Sequence, residues 1–387
     1  MFSRRVPADL TPNALTTALA AHRLSGRPLF DLTATNPTAA GIPYPADVLA
    51  PLANPEGRVY RPEPFGLRSA REAVCRDFAR LGTTVAPEHV VLTASTSEAY
   101  SLLFKLLCDP GDEVLVPSPS YPLFDHLSSL DGVGAPRYRL DYRGRWAVDE
   151  GSLRTAWTSG VRAVLAVNPN NPTGSMLSRS ELDMLAVRCA EHGAALIVDE
   201  VFADYPLAAG STSSTSHVAD GVLTFRLGGL PKSAGLPQVK LGWFAVDGPR
   251  ELVHDALARL EIICDTYLSV STPAQIAAGA LIDSGVSTRA AIVARIRENH
   301  AHLARAAAAA PSIEVLHADA GWAAVLRVPA TRSEEDVVMD LLVEESVLVH
   351  PGYFFDFDRE AFLVLSLLPP PDVFAEGVAR LVNRIHE

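Results

Sequence analysis

Two apolar runs, residues 163–167 and 194–198, each stop at residues of a different kind. The first passes into Asn168-Pro169-Asn170-Asn171-Pro172-Thr173-Gly174 and the second into Asp199-Glu200. Such runs read as strands buried on both faces, as in a parallel sheet. Residues 178–192 between them read as an amphipathic helix, with Ser178 as N-cap and Glu181 completing a capping box. The unit is strand, loop, helix, strand, and its polar residues fall at the carboxyl ends of the strands, the edge where open α/β sheets bind ligands. An acid ending a buried strand is costly unless paired, so Asp199 needs a partner.

Further along the chain, Leu230-Pro231-Lys232-Ser233 is followed by Leu236-Pro237-Gln238-Val239-Lys240-Leu241-Gly242-Trp243. Of the 33 basic residues only Lys105, Lys232 and Lys240 are lysines, so chemistry that needs a primary amine has three candidates. Lys105 lies in an apolar helical stretch and is expected to extend its amine to the surface. Lys232 and Lys240 follow a strand, in a Gly/Pro-rich loop. Upstream, Thr93-Ala94-Ser95-Thr96-Ser97-Glu98-Ala99 joins a strand to a helix, and free N–H groups beside hydroxyls at a helix start suit a phosphate.

The elements that must position these residues alternate. Strands are expected at 90–92, 113–116, 137–140, 161–167, 194–198, 222–227 and 241–246, with helices between them. That order predicts a mostly parallel, seven-stranded, doubly wound sheet with helices on both faces. Helices at 12–22, 67–81, 249–266 and 273–282 are expected, followed by a helix, strands around Val325 and Leu363, and a final helix. The domain expectation is an N-terminal arm and part of the small domain in 1–45, a large domain in 46–285, and a smaller α+β domain in 286–387.

At 387 residues, two domains are the natural division. A net charge of −12 argues against a nucleic-acid partner. No 18-residue run is both apolar and uncharged, and Met1-Phe2-Ser3-Arg4-Arg5-Val6-Pro7 lacks the apolar core of a signal peptide, so a cytoplasmic protein without a membrane partner is expected. Cys75, Cys108, Cys189 and Cys264 lie far apart, with no His at zinc-ligand spacing, and read as buried thiols rather than disulfides or metal ligands.

Taken together, the motifs resemble the aspartate-aminotransferase-like (class I/II aminotransferase) family of fold type I pyridoxal 5′-phosphate (PLP) enzymes, from about Leu32 to the C-terminus. The resemblance implies the fold type I transferase architecture and PLP as cofactor. Lys232 then corresponds to the Schiff-base lysine and proton shuttle, which needs a depressed pKa to work near neutral pH. Asp199 matches the partner of the protonated pyridine nitrogen, which makes the ring an electron sink. Asn171 matches the residue that hydrogen-bonds the phenolic oxygen, and Tyr121 the aromatic that stacks on the ring. Ser95, Thr96, Ser97 and Lys240 match the phosphate cup. Tyr60 matches a tyrosine that reaches the phosphate of the neighbouring subunit, which implies a homodimer with shared sites.

The sequence departs from the family at four positions. Phe202 stands where a tyrosine usually donates to the phenolic oxygen, so the imine proton should be held more tightly and the cofactor should be yellow at neutral pH. Lys240 replaces a phosphate-binding Arg, and Gly229 a frequent Ser. Val364 stands where an Arg pairs with the substrate α-carboxylate. Either another cation serves, with Arg327 or Arg226 the sequence candidates, or the substrate lacks that carboxylate. His350-Pro351-Gly352-Tyr353-Phe354-Phe355 resembles the family's substrate-facing loop and could supply replacement contacts. The resemblance implies an aminotransferase moving nitrogen between an amino donor and a keto acceptor. A lyase or synthase on the same fold, or a non-catalytic PLP-binding protein, are the alternatives.

Overall fold

The computed structural model describes residues 2–208 and 221–386. After a two-residue strand, β1 (Phe30–Asp31), the chain builds a large sheet from β2 (Val90–Thr93), β3 (Glu113–Ser118), β4 (Arg137–Tyr142), β5 (Trp146–Val148), β6 (Val161–Val167), β7 (Ala195–Asp199), β8 (Thr224–Gly229) and β9 (Gly242–Asp247). Their spatial order is β2-β9-β8-β7-β6-β3-β4-β5. The central pairings β8/β7, β7/β6, β6/β3 and β3/β4 are parallel, while β9 runs antiparallel to both β8 and β2. The seven expected strands are all present. The eighth, β5, returns antiparallel on β4 through a tight turn in which Gly144 takes φ +78°. Three residues are too few for their apolar pattern to stand out from a loop.

The reversal of β9 has a functional consequence. Because β9 runs against its neighbours, its amino end, just after Lys240, lies at the same sheet edge as the carboxyl ends of β2, β6, β7 and β8. Gly229, Gly242 and Thr93 pair across three strands at that edge.

The later strands are β10 (Glu314–Val315), β11 (Ala323–Arg327), β12 (Val347–Leu348), β13 (His350–Pro351) and β14 (Phe362–Ser366). Four form an antiparallel sheet in the order β10-β11-β14-β13, while β12 pairs with β1. Leu15, Leu32 and Ile42 share one core with Leu303, Leu341, Leu365 and Phe374, so the N-terminal stretch packs with the C-terminal elements. Apolar clusters on the two faces of the large sheet are built around Phe225 and Phe244 on one side and Leu196 and Val164 on the other.

One helical expectation is corrected. Residues 273–282 are only the start of a continuous 37-residue helix, Thr272–Ala308. No proline follows Pro273 until Pro311, so nothing in the chain stops it. By length and composition this helix is apolar enough to cross a membrane. Its buried residues, among them Leu281, Ile282, Ile292 and Leu303, serve the protein's own cores.

Candidate active site

A cavity of about 300 Å³ opens at the sheet edge where the motifs converge. Its walls include Ser95, Thr96, Ser97, Tyr121, Asn171, Asp199, Lys232 and Lys240. The sequence-derived candidates therefore meet in one place, with Tyr60 the exception. Tyr60 is 69% exposed and lies beside Arg61 and Leu268, outside this cavity.

Asp199 ends β7 and is 7% exposed. Its partner is one that the sequence did not reveal: the Tyr100 hydroxyl donates to Oδ2, and the Val201 N–H donates to Oδ1 at 3.1 Å. Burial pushes the Asp199 carboxyl above the usual carboxylate range, while Tyr100, the Val201 N–H and Lys232 pull the other way. Tyr100 lies one helical turn beyond Ser97 in the helix Thr96–Leu107 and also lines the cavity. An i, i+3 relation to a motif hydroxyl is the only sequence signal that could have found it.

Lys232 follows β8 in a short helical turn, Leu230–Ser233. Its backbone is fixed from three sides. The Tyr205 hydroxyl donates to the Lys232 carbonyl, Arg289 Nη1 donates to the Ser233 carbonyl at 2.8 Å, and the Tyr44 hydroxyl donates to the Gly235 carbonyl at 2.6 Å. The amine itself meets rings: Nζ lies 4.7 Å from the Trp322 centroid and 5.3 Å from that of Phe202. Burial lowers its pKa, and the nearby Asp199 charge opposes that shift. A lysine with a pKa depressed in this way holds more free amine near neutral pH.

Trp322, which immediately precedes β11, is a second residue that sequence reasoning missed. The Asn-Pro-Thr-Gly loop brings it in, because the Gly174 carbonyl accepts from the N–H groups of Asp319 and Ala320, both at 2.9 Å. Gly174 has φ +65°, and a Cβ there would sit 2.4 Å from the Ala320 carbonyl oxygen. Only glycine allows this docking. Within the same loop, Asn170 accepts from the Ser120 hydroxyl at 2.9 Å and donates to the Pro119 carbonyl at 3.0 Å. Asn170 thus ties the loop to the segment carrying Tyr121, and Asn171 is the one that faces the cavity. Tyr121 packs edge-on against Phe124, with ring centroids 5.7 Å apart.

The anion cup forms where β2 passes into the helix Thr96–Leu107. Ser95 is the N-cap, accepting from Glu98 N–H at 3.1 Å, while the Glu98 carboxylate accepts from Ala94 N–H at 2.6 Å. Gly242 lets the strand beside this turn come close: a Cβ there would lie 3.0 Å from Thr93 Oγ1 and 3.2 Å from Thr96 N. Crowding also accounts for Gly229, where a Cβ would meet Gly242 Cα at 3.1 Å and the Leu241 carbonyl oxygen at 3.3 Å. Lys240, with φ +58°, reaches the cup from the start of β9.

The residues suggested as substitutes for the Val364 position lie elsewhere. Arg226 is buried and paired with Glu200 at 3.3 Å, and Arg327 is paired with Glu314; neither lines the cavity. Strand alternation explains Arg226, which points to the sheet face opposite its neighbours Phe225 and Leu227. His350 packs on Phe354 and Phe355, also off the cavity lining. Its loop instead clamps the Tyr121 segment, since Ser120 N–H donates to the Phe355 carbonyl at 2.9 Å and the Ser118 hydroxyl to that of Asp356 at 2.6 Å. Val364 is buried in β14 with Phe355, Phe357 and Phe362.

The sequence profile of the aminotransferase class I and II family matches residues 52–381. Among curated proteins, the chain is similar to alanine aminotransferase of Mycobacterium tuberculosis, with 26% identity over 92% of this chain and 86% of that protein. It is also similar to the glutamate-pyruvate aminotransferase AlaA of Escherichia coli, with 25% identity over 94% of this chain and 92% of that protein. Among solved structures, alanine aminotransferase from Pyrococcus furiosus superposes with a TM-score of 0.89 at 24% identity, covering 99% of both chains. That likeness shows the fold, α/β with the fold type I arrangement.

Proposed function

The chain belongs to the aminotransferase class I and II family, and from that premise we propose that it transfers an amino group between a small-molecule amino donor and a keto acceptor, with pyridoxal 5′-phosphate carried on Lys232. The observation that carries this reading is the setting of Lys232: an amine with a lowered pKa between Phe202 and Trp322, in a cavity shared with a buried carboxylate and a helix N-terminus.

The donor set fits that cofactor. Ser95, Thr96, Ser97 and Lys240 suit its phosphate, Asn171 its phenolic oxygen, Tyr121 a ring face, and Asp199 a protonated ring nitrogen. When bound, the cofactor supplies a ring able to take up the electrons of a breaking C–H bond. The protein does the rest. Tyr100 and the Val201 N–H hold Asp199 in its place at the end of β7. The Lys232 amine accepts the proton leaving the substrate carbon and returns it, which its depressed pKa favours. Phe202 and Trp322 keep water from the amine.

The substrate is atypical, because Val364 replaces the cation that usually meets an α-carboxylate. We place the enzyme in the cytoplasm, a reading supported by four free cysteines. It acts as a homodimer in which the exposed Tyr60 of one protomer completes the phosphate cup of the other.

Titration of the holoenzyme with amino donors, followed by absorbance and product analysis, tests this function. Accumulation of pyridoxamine phosphate with release of a carbonyl product is expected. Release of ammonia or a keto acid without pyridoxamine phosphate would replace it with a lyase or synthase reading on the same fold.

A further inference from the structure

The cavity is short of positive charge. Every Lys and Arg of the chain lies among the described residues, and within one protomer only Lys232 and Lys240 of these line the cavity. The reading above engages both, one with the cofactor aldehyde and one with its phosphate. Arg226 is held in the core by Glu200, and Arg327 by Glu314 outside the cavity. The remaining charge at the walls is negative, from Asp199.

An α-carboxylate entering this space would be stripped of water with no uncommitted cation of the same protomer to receive it and with a carboxylate nearby. Proteins avoid an unpaired buried charge of that kind. The walls that remain are rings and small apolar groups, Phe202, Trp322, Val201 and Ala323, with Thr35 at the rim as a neutral hydroxyl. Apolar packing continues behind them, where Val364 sits among phenylalanines.

Building on the amino-transfer reading, we propose that the amino donor is a primary amine whose reacting carbon bears a neutral group, hydrogen, alkyl or hydroxymethyl, in the position of an amino acid's carboxylate. In the transfer, the donor carbon is oxidised from amine to carbonyl, with its new oxygen coming from water. The nitrogen and the two electrons pass to the cofactor, which ends as pyridoxamine phosphate, and Lys232 carries the proton that leaves the donor carbon.

Matched donors of one shape test this on the wild-type holoenzyme: L-phenylalanine, L-phenylalaninol and 2-phenylethylamine, with the corresponding leucine, leucinol and isopentylamine set. The neutral donors should form pyridoxamine phosphate with kcat/KM about 100-fold or more above the amino acids. A binding readout runs beside it: 3-phenylpropan-1-ol should bind in calorimetry and 3-phenylpropionate should not. Equal or faster reaction of the amino acids, or tight binding of the propionate, overturns the inference while leaving amino transfer intact. Reaction of none of the donors also overturns it. Whether the underlying reading falls too is then decided separately, by whether pyridoxamine phosphate forms with any member of a wider panel of amines and amino acids.

Discussion

Adding a single methyl group at Gly285 should cost the site more in activity than it costs the fold in stability. Gly285 lies in the long helix Thr272–Ala308, where it faces the loop that carries Lys232. In Gly285→Ala the new Cβ would stand 2.7 Å from Ala234 Cβ and 3.1 Å from Ala234 Cα. Relieving that contact requires the helix and loop to separate by roughly 0.7 Å, the gap between 2.7 Å and an ordinary 3.4 Å contact. Ala234 is two residues from Lys232, and Arg289 ties the intervening Ser233 to the same helix, so the displacement reaches the amine. Overpacking of this kind costs about 1–3 kcal/mol, offset by about 1 kcal/mol of helix propensity gained over glycine. Net destabilisation should therefore lie at about 0–2 kcal/mol, whereas a misplacement approaching 1 Å at a reacting group lowers kcat by about 100-fold. Gly279→Ala is the control on the same helix. Its Cβ would meet only the tip of Arg76 at 3.4 Å and Ala73 Cβ at 3.7 Å, so it should stabilise by up to about 1 kcal/mol and leave kcat unchanged. Urea unfolding and steady-state kinetics on the two variants give the comparison. Matching kinetics for both would refute the reasoning that Gly285 sets the position of Lys232.

Other expectations follow from the same geometry. Tyr100→Phe removes a hydrogen bond to a buried carboxylate, worth about 1.5–3 kcal/mol, so Asp199 should titrate higher still and cofactor affinity should weaken increasingly as pH falls; dialysis across a pH series that finds parallel curves for the two proteins would count against it. Phe202→Tyr offers the phenolic oxygen an extra donor and should lower the pH at which the yellow absorbance is lost by about one unit, read in a spectrophotometric titration. In the apoprotein, Lys232 has a folded pKa below its ordinary 10.5, so the unfolded chain binds more protons between those two values and stability must rise with pH across that window. Lys232→Met should therefore remove part of that rise, and a wild-type minus variant difference in unfolding free energy that is flat or falls with pH would contradict the burial of the amine.

Much of this arrangement is legible in the sequence because parallel strands buried on both faces leave continuous apolar runs, and their ends are marked by residues that have no other reason to be there. Asp199, Asn171 and Lys232 stand out in that way. Tyr100 and Trp322 do not, because a tyrosine in an apolar helix and a tryptophan before a strand read as core. Their functional contacts, with Asp199 and Lys232, come from segments about 100 residues away in the chain. Arg226 and Arg327 do not serve the cavity, since strand alternation turns one toward the core and a cross-strand glutamate holds the other, even though Arg327 lies on the strand paired with that of Val364. The unbroken helix Thr272–Ala308 is longer than the expected 273–282, and Gly285 within it serves close packing against Ala234.

The central claim is that Lys232 carries the cofactor. Borohydride reduction of the holoenzyme, followed by proteolysis and mass mapping, tests it most directly. Pyridoxyl phosphate should be found on the peptide containing Lys232 and on no other. Its attachment to Lys105 or Lys240, or its absence from all three lysines, would contradict the account.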